Sequence, residues 1–270
     1  MVKPATVRLL LALAMPYGWS LKQLDVSNAF LHGVLKEEVY MAQPQGYVDQ
    51  SCPNHACLLH KALYGLKQAP RAWFERFSTQ LLHIGFVAST TDGNLFIYNH
   101  DSHIVFQLLY VDDIIVIGNH YSFVASLIGA LSQEFDLKDL GRLHYFLGLQ
   151  IDYTPSSLFV HQTKYALDLH HRFHMSDCKP CKTPCSPAAL LVANDSPLLV
   201  DPTFYRSMVG ALQYLTFTRP DLSFAVQQAC QFMSSPTANH FQATKQILRY
   251  LQGSLHLVFL GNCPITWSAK

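Results

Sequence analysis

Charge is scarce in this chain of 270 residues: Asp, Glu, Lys and Arg together make up 14% of it, against about 25% in an average soluble domain. Half of the residues are hydrophobic, which excludes intrinsic disorder. Neither sign of charge dominates, with 19 basic against 18 acidic side chains. A nucleic-acid partner would therefore be held by a local patch and not by a global field. No apolar run reaches the eighteen or so residues that a membrane span needs. There is no internal repeat, no phosphate-cradling Gly-x-x-x-x-Gly-Lys loop and no Gly-x-Ser-x-Gly nucleophile turn. Cysteine is sparse, seven in all. The odd number and irregular spacing argue against a disulfide framework and for a reducing compartment. With 13 glycines and 14 prolines, collagen-like and low-complexity architectures are excluded as well.

The length suits one large domain or two ordinary ones. At the N-terminus, Lys3, Arg8 and the apolar run Leu9 to Met15 imitate a secretory signal. Val7, Leu10, Leu11 and Ala14 also fall at helical spacing between Pro4 and Gly18, so a short core helix explains the same letters. A strand is expected at Leu21 to Asp25, then a short turn or helix at Asn28 to Leu35 and a loop over 41–56. Pro70 opens a helix carrying Trp73, Phe77 and Leu81, which Gly85 closes. Asn94 to Tyr98, Ile104 to Tyr110 and Ile114 to Ile117 read as three strands, the first two joined through Asn99-His100-Asp101-Ser102. Val124, Leu127, Ile128, Leu131 and Phe135 mark a helix. Short strands follow at Tyr145 to Asp152 and Leu158 to His161 around the turn Thr154-Pro155-Ser156-Ser157, then a helix from Lys164 to Phe173. The segment 176–202 is rich in proline and reads as a linker. Three helices, over 203–217, 222–233 and 237–252, complete the C-terminal part. The fold class is α+β.

The segment Leu108 to Ile117 sets two adjacent acids, Asp112 and Asp113, inside an apolar strand-forming run. Burying such a pair needs compensation, because each carboxylate loses hydration and the two repel. No Lys or Arg lies within twenty residues on either side. A solvated hairpin is one resolution; a hard divalent cation is the other. Asp25 also ends an apolar strand, so two strand ends could converge. His170, His171, His174, Cys178, Cys181 and Cys185 invite a zinc reading, but a second paired unit at finger-like distance is lacking.

Four segments in order carry a resemblance: Gln23 to Gly33 (QLDVSNAFLHG), Leu63 to Trp73 (LYGLKQAPRAW), Tyr110-Val111-Asp112-Asp113, and Lys138 to Gly141 with Tyr145 to Gly148. The chain resembles, from about residue 2 to 256, the reverse transcriptases of copia-type LTR retrotransposons, which are parts of a Pol polyprotein. The resemblance implies a right-hand polymerase with palm and residual fingers over 1–155, a thumb-like segment and linker over 156–196, and a helical connection over 197–256. It implies RNA-directed DNA polymerase activity, a nucleotidyltransferase reaction. Two Mg²⁺ ions, with Mn²⁺ as a substitute, would be held by Asp25, Asp112 and Asp113. Phe30 would lie beneath the incoming sugar and select deoxynucleotides, and Gln68 would contact the nascent base pair and nucleotide. Lys61, Lys67, Arg71 and Arg76, against the single acid Glu75 in 61–76, form the candidate nucleic-acid patch. Phe146, Leu147 and Gly148 resemble a primer-seating hairpin. Partners would be an RNA or DNA template with its primer and deoxynucleoside triphosphates, with no membrane, in a cytoplasmic particle or the nucleus.

Two departures from the family are expected to impair activity. The upstream basic residues that grip the triphosphate are missing, and the residues 257–270 look like a remnant of a ribonuclease H domain whose acidic strand has been skipped. A catalytically inactive remnant that binds nucleic acid weakly is the alternative. A metal-dependent phosphodiesterase is a third reading, with His32 as its nearest activating group.

Overall fold

The computed structural model describes residues 2–154, 158–186, 191–194, 196–254, 258–260 and 263–266. Two compact units divide at Leu143 and His144, ahead of the proline-rich segment.

The first unit is built on a six-stranded sheet. Its elements are α1 (Pro4–Ala14), β1 (Ser20–Val26), β2 (Val34–Ala42), β3 (Ala56–Lys61), α2 (Ala69–Ile84), β4 (Val87–Ala88), β5 (Leu95–His100), β6 (His103–Tyr110), β7 (Asp113–Gly118), α3 (Tyr121–Ser132) and β8 (Leu137–Arg142). The strand order is β4-β5-β6-β7-β1-β8, and every pairing in it is antiparallel. The expected strands at 21–25, 94–98, 104–110 and 114–117 are all present; the second begins one residue later, at Leu95, and each reaches a residue or two past an expected end. The β5–β6 turn is tighter than the tetrapeptide suggested. His100 pairs with His103, and Asp101 and Ser102 both take positive φ, at 48° and 64°, as a two-residue primed turn demands.

One face of the sheet offers Leu24, Val26, Val105, Leu109, Ile114 and Val116 to the apolar stripes of α2 (Trp73, Phe77, Leu81) and α3 (Val124, Leu127, Leu131). Fully burying side chains of this size stabilises by roughly 1.5–3 kcal/mol each. Gly85 ends α2 at φ 105°, and its N–H reaches the carbonyls of Leu81 and Leu82. That left-handed stop needs glycine. The N-terminal segment is a core helix: α1 buries Val7, Leu10, Leu11 and Ala14 and contacts β7. Its first turn is held by Asp92, whose Oδ2 accepts from the Lys3 amide at 2.9 Å and the Thr6 hydroxyl at 2.7 Å.

The loop expected over 41–56 is shorter than its composition suggested, because β2 and β3 pair as a separate ribbon on either side of it. Asn28 to Leu35 resolves into a 3-10 turn over Ala29–His32 leading into β2.

The second unit contains β9 (Tyr145–Phe146), β10 (Leu149–Tyr153), β11 (Leu158–His161), α4 (Thr163–Arg172), α5 (Thr203–Leu215), α6 (Ser223–Cys230), α7 (Ala238–Gly253) and the pair β12 (Val258–Leu260) and β13 (Cys263–Thr266). The continuous strand expected over 145–152 is broken by a turn at Leu147 and Gly148, with φ of 48° and 74°, and β9 folds back on β10. Residues 155–157 of the next expected turn lie outside the described residues. Helix α4 shares one core with α5, α6 and α7, through Leu169, Phe173, Met208, Leu212, Val226, Ile247, Leu248 and Leu251. Thr237 and His240 form a reciprocal capping box at the start of α7. No helix among the described residues is long and apolar enough to cross a membrane.

Candidate active site

The antiparallel register of β1 on β7 sets Asp25 directly opposite Asp113. Asp113 in turn pairs with Tyr110, so Val111 and Asp112 form a two-residue turn between β6 and β7. Asp112 thus stands beside the Asp25–Asp113 pair, and its carbonyl accepts from the Val26 amide at 2.9 Å. The three acids are brought together. Val111 has φ 54°, an uncommon conformation for a β-branched residue. The turn is held from below by Trp73, whose Nε1–H donates to the Val111 carbonyl at 2.6 Å.

Electrostatics at this place are unfavourable to ionisation. Burial, then the charges of Asp112 and Asp25, push the Asp113 carboxyl above the usual carboxylate range, while the Gln23 amide at 3.5 Å opposes them. None of the three acids forms an ion pair among the described residues. The cation that no residue within twenty positions supplied lies across the sheet instead: Lys138 on β8 is the register partner of Asp25 on its other side. A row of Asp113, Asp25 and Lys138 therefore crosses β7, β1 and β8 on one face. Sequence reasoning missed Lys138 because strand pairing between β1 and β8, not local spacing, puts it there.

This donor set suits a hard divalent ion in chemistry and in charge, since carboxylate oxygens carry an excess of negative charge that no hydrogen-bonded cation offsets. The fit is not yet that of a closed cage: among the described residues no group of three or more His, Cys, Asp or Glu side chains is drawn tightly enough to hold a metal ion.

Phe30 lies in the 3-10 turn after β1, its ring centroid 4.6 Å from that of Tyr64. With Tyr110, Val111, Trp73 and Arg71 it lines a cleft of about 410 Å³. Gln68 sits at the N-cap position of α2 without a side-chain capping bond and lines a smaller hollow with Lys36, Glu37, Arg71 and Glu75. Only Arg71 is common to the two.

The basic segment is less free than its composition implied. Glu75 takes Arg71 at 2.9 Å and also Lys36, from β2, at 2.7 Å. Arg76 pairs at 2.9 Å with Glu134, beyond the end of α3. Lys61 and Lys67 are exposed and form no ion pair among the described residues. Phe146, Leu147 and Gly148 belong to the second unit. Phe146 is buried there, the Leu147 carbonyl accepts from the Tyr214 hydroxyl, and a Cβ on Gly148 would lie 3.2 Å from the Tyr214 ring. His32 packs against the rings of Trp73 and Phe135 and has no hydrogen bond to the acids among the described residues. His170, from the His/Cys-rich stretch, is buried with its ring nitrogens 2.8 and 3.0 Å from the Ala166 and Leu248 carbonyls.

Comparison with known proteins gives this geometry its context. The family model described as reverse transcriptase (RNA-dependent DNA polymerase) matches residues 1–187. The retrovirus-related Pol polyprotein from transposon RE1 of Arabidopsis thaliana is 44% identical over 303 residues, covering 100% of this chain and 21% of that protein. The corresponding polyprotein from transposon RE2 of the same plant is 42% identical with the same coverage. That from transposon TNT 1-94 of Nicotiana tabacum is 37% identical over 276 residues, covering 98% of this chain and 21% of the relative. The chain spans about a fifth of the length of these relatives. By the extent of the family match and the carboxylates at its centre, the chain belongs to the reverse transcriptase family, in the form carried by the Pol polyproteins of copia-type transposons.

Proposed function

We propose that the chain carries out template-directed DNA synthesis, copying RNA or DNA by adding deoxynucleotides to a primer 3′-hydroxyl. In this reading the six-stranded sheet is the floor of a polymerase palm, residues 1–155 being palm with residual fingers. The thumb-like segment and linker run over 156–196, the helical connection over 197–256, and 257–270 derive from a ribonuclease H domain. The observation that carries the reading is the register that sets Asp25 opposite Asp113 with Asp112 in the adjoining turn.

Asp25 and Asp112 would be the principal ligands of two Mg²⁺ ions, with Asp113 in support and Mn²⁺ able to substitute. Bound there, such ions supply Lewis acidity that eases deprotonation of the 3′-hydroxyl and offsets the charge of the triphosphate. The chain's own contribution is placement. Carboxylates fixed on a sheet and a tight turn cost no reorganisation when the reacting groups arrive. The Phe30 ring walls the cleft beside Tyr110 and Val111, where a 2′-hydroxyl would meet it, and Gln68 with Arg71 contacts the nucleotide from α2. Lys61 and Lys67 would hold the strand backbone, while Arg71 and Arg76 stay in ion pairs with Glu75 and Glu134, and Phe146 to Gly148 would seat the primer end. Copying a transposon's RNA is work done inside the cell, in a cytoplasmic particle or the nucleus.

The test is extension of primed poly-rA with dTTP and Mg²⁺ by the purified chain. Incorporation that Asp112→Asn abolishes supports the reading; incorporation indifferent to that change removes these carboxylates from the mechanism. Binding of the primed template without any incorporation would mark the chain as an inactive remnant.

A further inference from the structure

The proposal concerns Trp73, and it rests on the reading that Asp25, Asp112 and Asp113 bind divalent metal. Trp73 is 1% exposed, and a buried indole N–H must find an acceptor. Many acceptors would serve that need. The one taken is the carbonyl of Val111, at 2.6 Å, the residue whose left-handed backbone shapes the turn that carries Asp112. Valine resists that conformation because its branched Cβ crowds the neighbouring peptide, so the turn persists only while its surroundings impose it. Two hydrogen bonds do so. Trp73 grips the first peptide of the turn, and the Val26 amide, one residue beyond Asp25, grips the second through the Asp112 carbonyl.

The indole is itself immobile. Its ring centroid lies 5.1 Å from that of Phe77 and 5.4 Å, edge-on, from that of Phe135. Its backbone is approached so closely that a Cβ on Gly33 would fall 2.8 Å from the Trp73 nitrogen. A rigid donor set on a long helix thus meets a turn that needs holding, next to the acid that the turn presents. We infer that Trp73 is a positioning residue: its indole N–H fixes the Val111 peptide and thereby the place of the Asp112 carboxylate relative to Asp25.

The experiment measures Mn²⁺ binding to the full chain from the electron paramagnetic resonance signal of free Mn²⁺, without requiring turnover. Asp112→Asn should weaken binding at least tenfold, and Trp73→Phe severalfold. Glycine accepts positive φ without strain, so a turn with Val111→Gly does not depend on being held. Adding Val111→Gly to Trp73→Phe should restore binding to within twofold of Val111→Gly alone. If Trp73 only fills space, Val111→Gly has nothing to repair and the double variant stays as weak as Trp73→Phe, which overturns the proposal. It is equally overturned if Trp73→Phe binds Mn²⁺ like the parent while Asp112→Asn does not. Should Trp73→Phe fail to fold, 3-benzothienylalanine at position 73 keeps the bicyclic shape and removes only the N–H; the same loss and the same rescue are expected. Undiminished binding by Asp112→Asn would instead sink the carboxylate reading, and the role of Trp73 with it.

Discussion

Gln107 carries an amide into the driest part of the first unit. It lies on β6 between Phe96 and Val116, fully buried, and neither its oxygen nor its nitrogen has a hydrogen-bond partner among the described residues. An unsatisfied buried amide costs about 1–3 kcal/mol. Gln107→Leu, close in volume, is therefore expected to stabilise the protein by about 1 kcal/mol or more, seen as a higher urea midpoint at unchanged slope. Asp113 poses the opposite kind of problem, because its cost depends on pH. Burial and the charges of Asp112 and Asp25 raise its pKa in the folded state. The ionised form is then disfavoured by folding, and stability is lost as pH rises through the raised value. Asp113→Asn should raise the melting temperature at pH 7 to 8, and the difference should close below the ordinary Asp value of about 3.9, where both side chains are neutral. A gap that persists at pH 3 would show that packing, not charge, accounts for it. The three acids were legible in the sequence because charge inside an apolar run is conspicuous. Lys138 and the Trp73–Val111 bond were not, since neither partner advertises the other.

At the scale of elements, what could be read followed from which faces are buried. Helix α2 and strands β5 to β7 announce themselves by their period, because each hides one side or both. Strands β2 and β8 have no buried residue at all, and β3 none either. Without a dry face there is no alternation to find, and a polar strand looks like a loop. The break between β9 and β10 came from the resemblance of Phe146 to Gly148 to a hairpin and not from the strand pattern, since Leu147 itself gives no sign of the left-handed conformation it adopts. Helix α1 is attached by a device that the periodicity also could not show. Burial would push the Asp92 carboxyl up, but hydrogen bonds from the Lys3 amide, Thr6 and Asn94 outweigh it and hold the pKa below the ordinary value. A lowered carboxylate contributes stability above its unfolded pKa and loses it as pH falls through the lowered value. Asp92→Asn should cost about 1.5–3 kcal/mol near pH 7, the usual worth of hydrogen bonds to a charged group, and progressively less in acid. Urea unfolding of parent and variant at pH 7 and pH 3 checks it.

For the molecule as a whole, the near-zero net charge conceals a division. Residues 1–143 hold 10 basic and 12 acidic side chains, a net of −2, and residues 144–270 hold 9 and 6, a net of +3. Composition predicts that nucleic acid would be met by local groups, and the structure engages part of the 61–76 set in ion pairs. Arg76 is committed to Glu134, and Glu75 is shared by Arg71 and Lys36. Among the described residues, the cations of that stretch without an ion pair are Lys61 and Lys67. Each of Lys61→Ala and Lys67→Ala should flatten the log-affinity against log-salt plot for a primed template by roughly 0.7 to 0.9, the share of one phosphate contact, while Arg76→Ala changes it by much less. Equal effects from all three, in filter-binding titrations across salt, would mean that the ion pairs open on binding.

The register of the central sheet makes the two sides of the acid cluster mechanically unequal. Asp25 stands on a strand laced to neighbours along both edges, so it behaves as an anvil. Asp112 rides on a loop two residues long whose left-handed valine is held by the Trp73 and Val26 hydrogen bonds, so its place is as firm as those two bonds. Crystals of the Trp73→Phe variant, set beside the parent, should find the displacement concentrated at residues 111 and 112, with the strand beneath them standing still.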